Sequence, residues 1–167
     1  MSAARKERTM ELTTDIFSLF DKKWALLTAG DRASFNSMTV SWGGLGTLWG
    51  KSVATVYVRT SRFTHEFMDR EGFFTLSFFP ESCRDKLLLL GTKSGRDMDK
   101  MNGSGLEPLE CAHGVTYREA ELTLVCRKLF MERLDPAKLD GELREKLYAH
   151  DAPHDMYIGE VTELIRR

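Results

Sequence analysis

The chain has 167 residues, 42% hydrophobic and 29% charged; these are ordinary globular values that exclude a disordered or fibrous chain. Its 24 Lys and Arg against 25 Asp and Glu leave a net charge of −1, so there is no bulk electrostatic case for nucleic acid or an anionic membrane as partner. The length suits a single domain that buries its core without a disulfide or a metal.

The near-zero sum hides an uneven distribution. Between Asp31 and Glu66 there is no acid, while Arg32, Lys51, Arg59 and Arg62 fall inside that stretch. Of the 17 aromatic residues, 13 lie between Phe17 and Phe79. The first half reads either as the part that meets an anionic, aromatic-tolerant ligand or as a β-rich core with a few surface arginines.

In chain order, residues 1–12 are charged and lack the apolar run of a secretory signal. They are expected to form a flexible or partner-packing arm before one domain over residues 13–167. Alternation of β-branched and aromatic residues predicts strands over Trp24–Thr28 and Ser37–Trp42. The glycine-rich run Gly43–Ser52 reads as a tight hairpin leading into a strand over Val53–Arg59. A helix over Ser61–Arg70 places Phe63, Phe67 and Met68 on one side, with a stop at Gly72. A strand over Phe73–Phe79 follows, then a helix over Ser82–Leu90 with Ser82 and Asp85 at capping-box spacing. The long segment Ala120–Leu134 alternates as a barrel-wall strand. Pro136–Tyr148 reads as a helix with Leu139, Leu143 and Leu147 on one stripe, and Met156–Ile165 as the last strand. Strands outnumber helices and do not alternate with them, so the fold is expected to be mainly β, an antiparallel barrel with peripheral helices.

Several motifs fail on inspection. Gly43–Ser52 resembles a phosphate-binding loop, but Leu45 stands where its first glycine is required and no helix signal follows. The same glycines fail the dinucleotide fingerprint, because Trp49 replaces its third glycine. His150 and His154 are four apart, yet Pro153 between them breaks a shared helical face, so no metal is expected. Cys83, Cys111 and Cys126 are odd in number and lack metal or disulfide spacing, which points to a reducing cytoplasm.

One constellation stands out. Asn36, Ser37, Met38, Thr39, Val40, Ser41 and Trp42 form a strand dense in hydroxyls. A second strand ends at Arg59 and passes through Ser61, Arg62 and Thr64 into a helix N-terminus, where free N–H groups and the dipole favour an anion. Two arginines and two hydroxyls there suit a phosphate. The competing reading is that Ser61 and Thr64 only cap the helix and both arginines lie in solvent.

These stretches, with Trp24–Gly30, Phe74–Phe78, Ser94–Lys100 and His154–Glu160 in the same order, resemble the flavin reductase-like FMN-binding split-barrel family. The resemblance implies a Greek-key split β-barrel of the FMN-binding type. It implies that Met38 to Trp42 meet the isoalloxazine through backbone groups and the Thr39 and Ser41 hydroxyls. By the same resemblance Arg59, Ser61, Arg62 and Thr64 hold the ribityl phosphate, and Ser94 and Gly95, with Arg96 or Lys100, close the site. His154 takes the place of a histidine near the flavin and nicotinamide, or else anchors a loop; relatives often carry Gly-Asp where this chain has Ala152-Pro153. The implied activity is hydride transfer from NADH or NADPH to FMN and electron delivery to an acceptor, possible acceptor proteins included. Its rivals are a non-enzymatic FMN-binding electron carrier of the flavoredoxin kind and a pyridoxamine-phosphate-oxidase-like or haem-binding barrel. A homodimer with FMN at its interface is also implied. On this reading Arg59 and Arg62 carry the ligand charge and Arg32 does not.

Overall fold

The computed structural model describes residues 10–167. Residues 1–9 of the expected arm lie outside these; Met10, near its end, packs half-buried against the core. A helical turn, α1 (Ile16–Ser18), runs into a π-helical stretch over Leu19–Lys23. Two hairpins follow, β1 (Ala25–Gly30) with β2 (Phe35–Val40), and β3 (Gly43–Leu48) with β4 (Lys51–Arg59). Then come α2 (Phe63–Arg70), β5 (Phe73–Phe78), α3 (Arg84–Thr92) and α4 (Lys100–Ser104). A small hairpin of β6 (Pro108–Cys111) and β7 (Gly114–Tyr117) precedes β8 (Leu122–Arg133), α5 (Gly141–Tyr148) and β9 (His154–Arg166).

Seven strands form one antiparallel sheet in the order β2-β1-β5-β8-β9-β4-β3. Its two edges, β2 and β3, are consecutive in the chain and separated only by Ser41 and Trp42. Flat, such a sheet would hold its edges about 29 Å apart, whereas the three peptide steps from Val40 to Gly43 span at most about 11 Å. The sheet must therefore curl into a barrel, and because β2 and β3 do not pair, the barrel stays split along that seam. The expectation of a mainly β, split-barrel fold is met.

Period-two alternation sorts the core into two clusters. Leu27, Val56, Phe74, Leu76 and Tyr157 fill the barrel interior. Leu26, Leu87, Leu90 and Tyr117 pack outside it, under α3 and the β6–β7 hairpin. Buried hydroxyls seal the outer layer: Thr28, Ser37 and Tyr117 bond one another at 2.6–2.9 Å.

The observed elements correct several expectations. Trp24 has φ 66 and stands outside the strand, which starts at Ala25. The hairpin tip is Trp49-Gly50, with φ 52 and 69, and Gly43, Gly44 and Gly46 lie within strand β3. A Cβ on Gly43 would meet the Phe20 ring at 2.5 Å, so that glycine serves close packing. The expected cap of α3 forms no side-chain hydrogen bond, and the helix runs through Gly91. The long helix over 136–148 breaks at Asp140, whose carboxylate caps α5 by accepting from the Glu142 and Leu143 amides. Its leucine stripe is not packed, because α5 buries no residue and Leu143 is 48% exposed. The β6–β7 hairpin and α4 were not expected, being short and carrying no sustained period.

Strands β5, β8 and β9 press together at Gly159, where an added Cβ would lie 2.7 Å from the Phe74 ring and 2.9 Å from Cys126 Cβ. Gly159→Ala should cost about 1–3 kcal/mol through overpacking, measured by urea denaturation; an unchanged midpoint would contradict this packing.

Candidate functional site

The start of α2 and the end of α3 meet over β2. Arg62 occupies the extended position before α2 (φ −76, ψ 139), and Phe63 and Thr64 of the first turn border the space between α2 and α3. Its Nη1 donates to the Gly91 carbonyl at 2.9 Å, while Nη2 is buried with no hydrogen-bond partner among the described residues. Lys100 is 4% exposed and donates from Nζ to the Leu90 and Lys93 carbonyls at 3.0 and 3.1 Å. Both cations thus sit on the carbonyl end of α3, the negative end of its dipole. Neither forms a salt bridge among the described residues. Burial lowers the Arg62 pKa. Burial first and the Arg62 charge second push the Lys100 ammonium down to about 8. Two buried cations held together without a carboxylate would each gain from an anionic partner.

Hydroxyls complete the cluster. Thr64 is buried, and its Oγ1 accepts from Asn36 Nδ2 at 2.7 Å, leaving the threonine hydrogen free to donate. Ser61, Arg62, Thr64, Ser94, Gly95 and Lys100 line a cavity of about 110 Å³. Asn36, Phe63, Gly95 and Lys100 are also shared with a neighbouring cavity of about 600 Å³.

A second group gathers where β4 meets β9. Arg59 pairs in register with His154. Its guanidinium donates to the Ala152 and Leu147 carbonyls at 2.7 and 3.3 Å and lies 5.3 Å from the Tyr148 ring centre. His154 Nδ1 is 2.7 Å from the Tyr148 hydroxyl, and its ring centre is 5.2 Å from that of Trp42. Burial, then the Arg59 charge, lowers the His154 pKa to about 4.

The structure therefore divides the residues expected at one site. Asn36, Ser61, Arg62, Thr64, Ser94, Gly95 and Lys100 come together. Arg59 does not join them: it does not line that cavity, and its guanidinium donates to the Leu147 and Ala152 carbonyls and lies 4.0 Å from the Asp151 carboxylate. Arg96 is committed to Glu66, to the Ser61 carbonyl and to the Phe63 ring, and acts as a strut over α2. Met38 and Val40 point into the barrel core. Thr39 spends its hydroxyl on the Leu87 carbonyl, so it offers backbone rather than side chain. Ser41 and Trp42 form the link between the sheet edges. Lys93 and Phe63, both lining residues, and Tyr148, the partner of His154, were missed; no motif marked them.

The trio His65, Asp69 and Asp155 brings metal-ligating atoms together. It closes on itself instead: Arg133 and His65 both bond Asp155, and Tyr157 donates to Asp69 at 2.7 Å.

The family described as flavin reductase like domain matches residues 17–167. Flavoredoxin from Methanosarcina acetivorans superposes with a TM-score of 0.67 at 20% identity, covering 95% of this chain and 75% of that one. An FMN-binding protein from Thermus thermophilus gives 0.68 at 19% identity, covering 98% and 82%. An NADH:FAD oxidoreductase from Streptomyces globisporus gives 0.65 at 13% identity, covering 87% and 75%. No curated protein sequence matches the chain.

With a folded pKa near 4 against about 6.5 unfolded, the unfolded chain binds the extra proton first. His154 therefore removes stability as pH falls from about 6.5 to about 4. An NMR titration of the imidazole should place its midpoint near 4; a midpoint near the unperturbed value would contradict the burial and pairing described.

Proposed function

The chain belongs to the flavin reductase-like domain family, and on that premise we propose that it binds FMN and works as an NAD(P)H-dependent flavin reductase-like oxidoreductase. The observation that carries the reading is the buried, partnerless Nη2 of Arg62 beside Lys100. A phosphate monoester gives that atom an acceptor and both cations a counter-charge. The α2 amides and the Thr64 and Ser94 hydroxyls are then placed to donate to its remaining oxygens.

Bound FMN would supply the redox chemistry, taking hydride from a reduced nicotinamide and passing electrons to an acceptor. The chain supplies the rest. As an edge strand, β2 leaves alternate backbone groups free along the seam, a hydrogen-bonding ladder for the polar edge of a flat ring. His154 is neutral at pH 7. If the Tyr148 hydroxyl donates to Nδ1, the imidazole presents Nε2–H as a donor beside Trp42. Arg59 holds the 147–152 backbone against that pair.

A second reading, a non-enzymatic electron carrier, draws support from one observation: His154 is only 6% exposed, so the group expected to meet a nicotinamide is covered. A homodimer belongs to either reading. Trp49 and Phe130, both exposed with ring centres 6.1 Å apart, offer an apolar surface suited to a second copy. No helix among the described residues is long and apolar enough to cross a membrane. The free cysteines support a cytoplasmic place, where an acceptor protein could be met.

Arg62→Met should weaken FMN binding about tenfold or more while leaving the unliganded melting temperature unchanged or higher, since a buried charge is removed. Calorimetry and thermal melts check both. Equal FMN affinity in the variant would refute the assignment. NADH or NADPH added anaerobically should bleach the loaded parent protein, and loading without bleaching would favour the carrier.

A further inference from the structure

We propose that Lys100 is a site of acylation, taking the acyl group of a small acyl phosphate whose phosphate docks at Arg62. This rests on the phosphate-receiving part of the reading above and goes beyond it. The pair that would hold a flavin phosphate would, when empty, hold an activated acid beside an amine.

The geometry sets a nucleophile next to a cation that lacks a partner. Arg62 Nη1 and Lys100 Nζ donate to the carbonyls of consecutive residues, Gly91 and Leu90, at 2.9 and 3.0 Å. The two head groups are therefore neighbours, and both residues line the cavity of about 110 Å³. In an acyl phosphate the acyl carbon is bonded directly to a phosphate oxygen. A phosphate seated on this pair thus brings that carbon to the amine with no linker between them. Holding the two together turns a bimolecular encounter into an effectively unimolecular step.

The bonds Lys100 already makes leave it able to react. Nζ donates to the Leu90 and Lys93 carbonyls. A neutral amine has two N–H donors and one lone pair, so it keeps both bonds while the lone pair stays available. Burial and the Arg62 charge bring its pKa to about 8, against about 10.4 for an ordinary lysine. Desolvation beside a second cation is how lysine nucleophiles are activated. Lys93 lines the same cavity, but it is exposed and meets the cluster through its backbone carbonyl.

The step needs no further reagent. The ammonium gives a proton to solvent, and the lone pair attacks the acyl carbon. The C–N bond forms, the acyl C–O bond breaks, and inorganic phosphate leaves with the bonding pair. Arg62 stabilises the charge on that leaving group. The amide product carries no charge, so the acylated chain keeps only Arg62 of the cationic pair. A phosphate ester already seated there shields the amine, and acylation therefore marks the empty protein.

Acetyl phosphate, with tandem mass spectrometry of the digested protein, tests this. The parent should be acetylated at Lys100 about tenfold or more faster than at exposed Lys146. A donor without phosphate, acetyl N-hydroxysuccinimide ester, should reverse that order, because Lys100 is 4% exposed. Inorganic phosphate should slow the Lys100 reaction in the parent, a competition that needs no variant, and Arg62→Met should remove the preference for Lys100. Lys100 labelled no faster than Lys146, or labelled undiminished under saturating phosphate, would overturn the proposal. Calorimetric binding of FMN with Lys100 left unlabelled would overturn it too and leave the flavin reading standing. Selective labelling that phosphate slows and bound FMN does not would uphold it and put the flavin phosphate elsewhere.

Discussion

Three peptide bonds between the two edges of a seven-stranded sheet set the shape of this protein. They force the sheet to curl and leave it split along one seam. The same link carries Trp42 up to His154 and holds β2 as an unpaired edge. Helix α3 can then lie against that edge, with Thr39 bonded to the Leu87 carbonyl and Gly91 tight against the Thr39 side chain. The carbonyl end of α3 thereby arrives opposite the amino end of α2. The meeting of Arg62 and Lys100 at the end of α3 follows from strand order and linker length.

Onto that frame the sequence places two cations and no acid. Lys100 and Arg62 share the end of one helix, and each is made less basic by burial. In the free protein this arrangement is a cost. The folded Lys100 pKa lies below its unfolded value, so the unfolded chain holds more protons between about pH 8 and about 10.5. Its contribution to stability therefore rises as pH increases through that window. Groups that destabilise the empty fold and satisfy a bound anion are what a binding site requires.

The fold was legible where a period was sustained: β1, β4, β5, β8 and β9 each follow from alternation, and the split barrel follows from their order together with the family resemblance. Short elements were not legible. Helix α4 has five residues and β6 and β7 four each, too few to display a period. At the site, Arg62 and Thr64 stand together because a helix N-terminus is a local feature, whereas Asn36 on β2 and Lys100 at the start of α4 reach the same cavity from distant parts of the chain, Lys100 being expected there only through the family resemblance. Arg59 was misplaced because its partners, the Leu147 and Ala152 carbonyls, belong to a distant excursion that no local pattern reveals. The hydroxyls of β2 misled for a related reason: Ser37 and Thr39 answer to Tyr117 and Leu87 across the fold.

On the proposed reading, Arg62 and Lys100 together receive the phosphate of a flavin. That is tested most directly by following the Lys100 ammonium with NMR, on selectively labelled lysine, in the free protein and after adding FMN or riboflavin. The free protein should titrate near 8. FMN should raise that midpoint toward the ordinary lysine value, because a phosphate stabilises the charged form, and riboflavin, which lacks the phosphate, should leave it in place. An unmoved midpoint with FMN bound would show that the phosphate lies elsewhere.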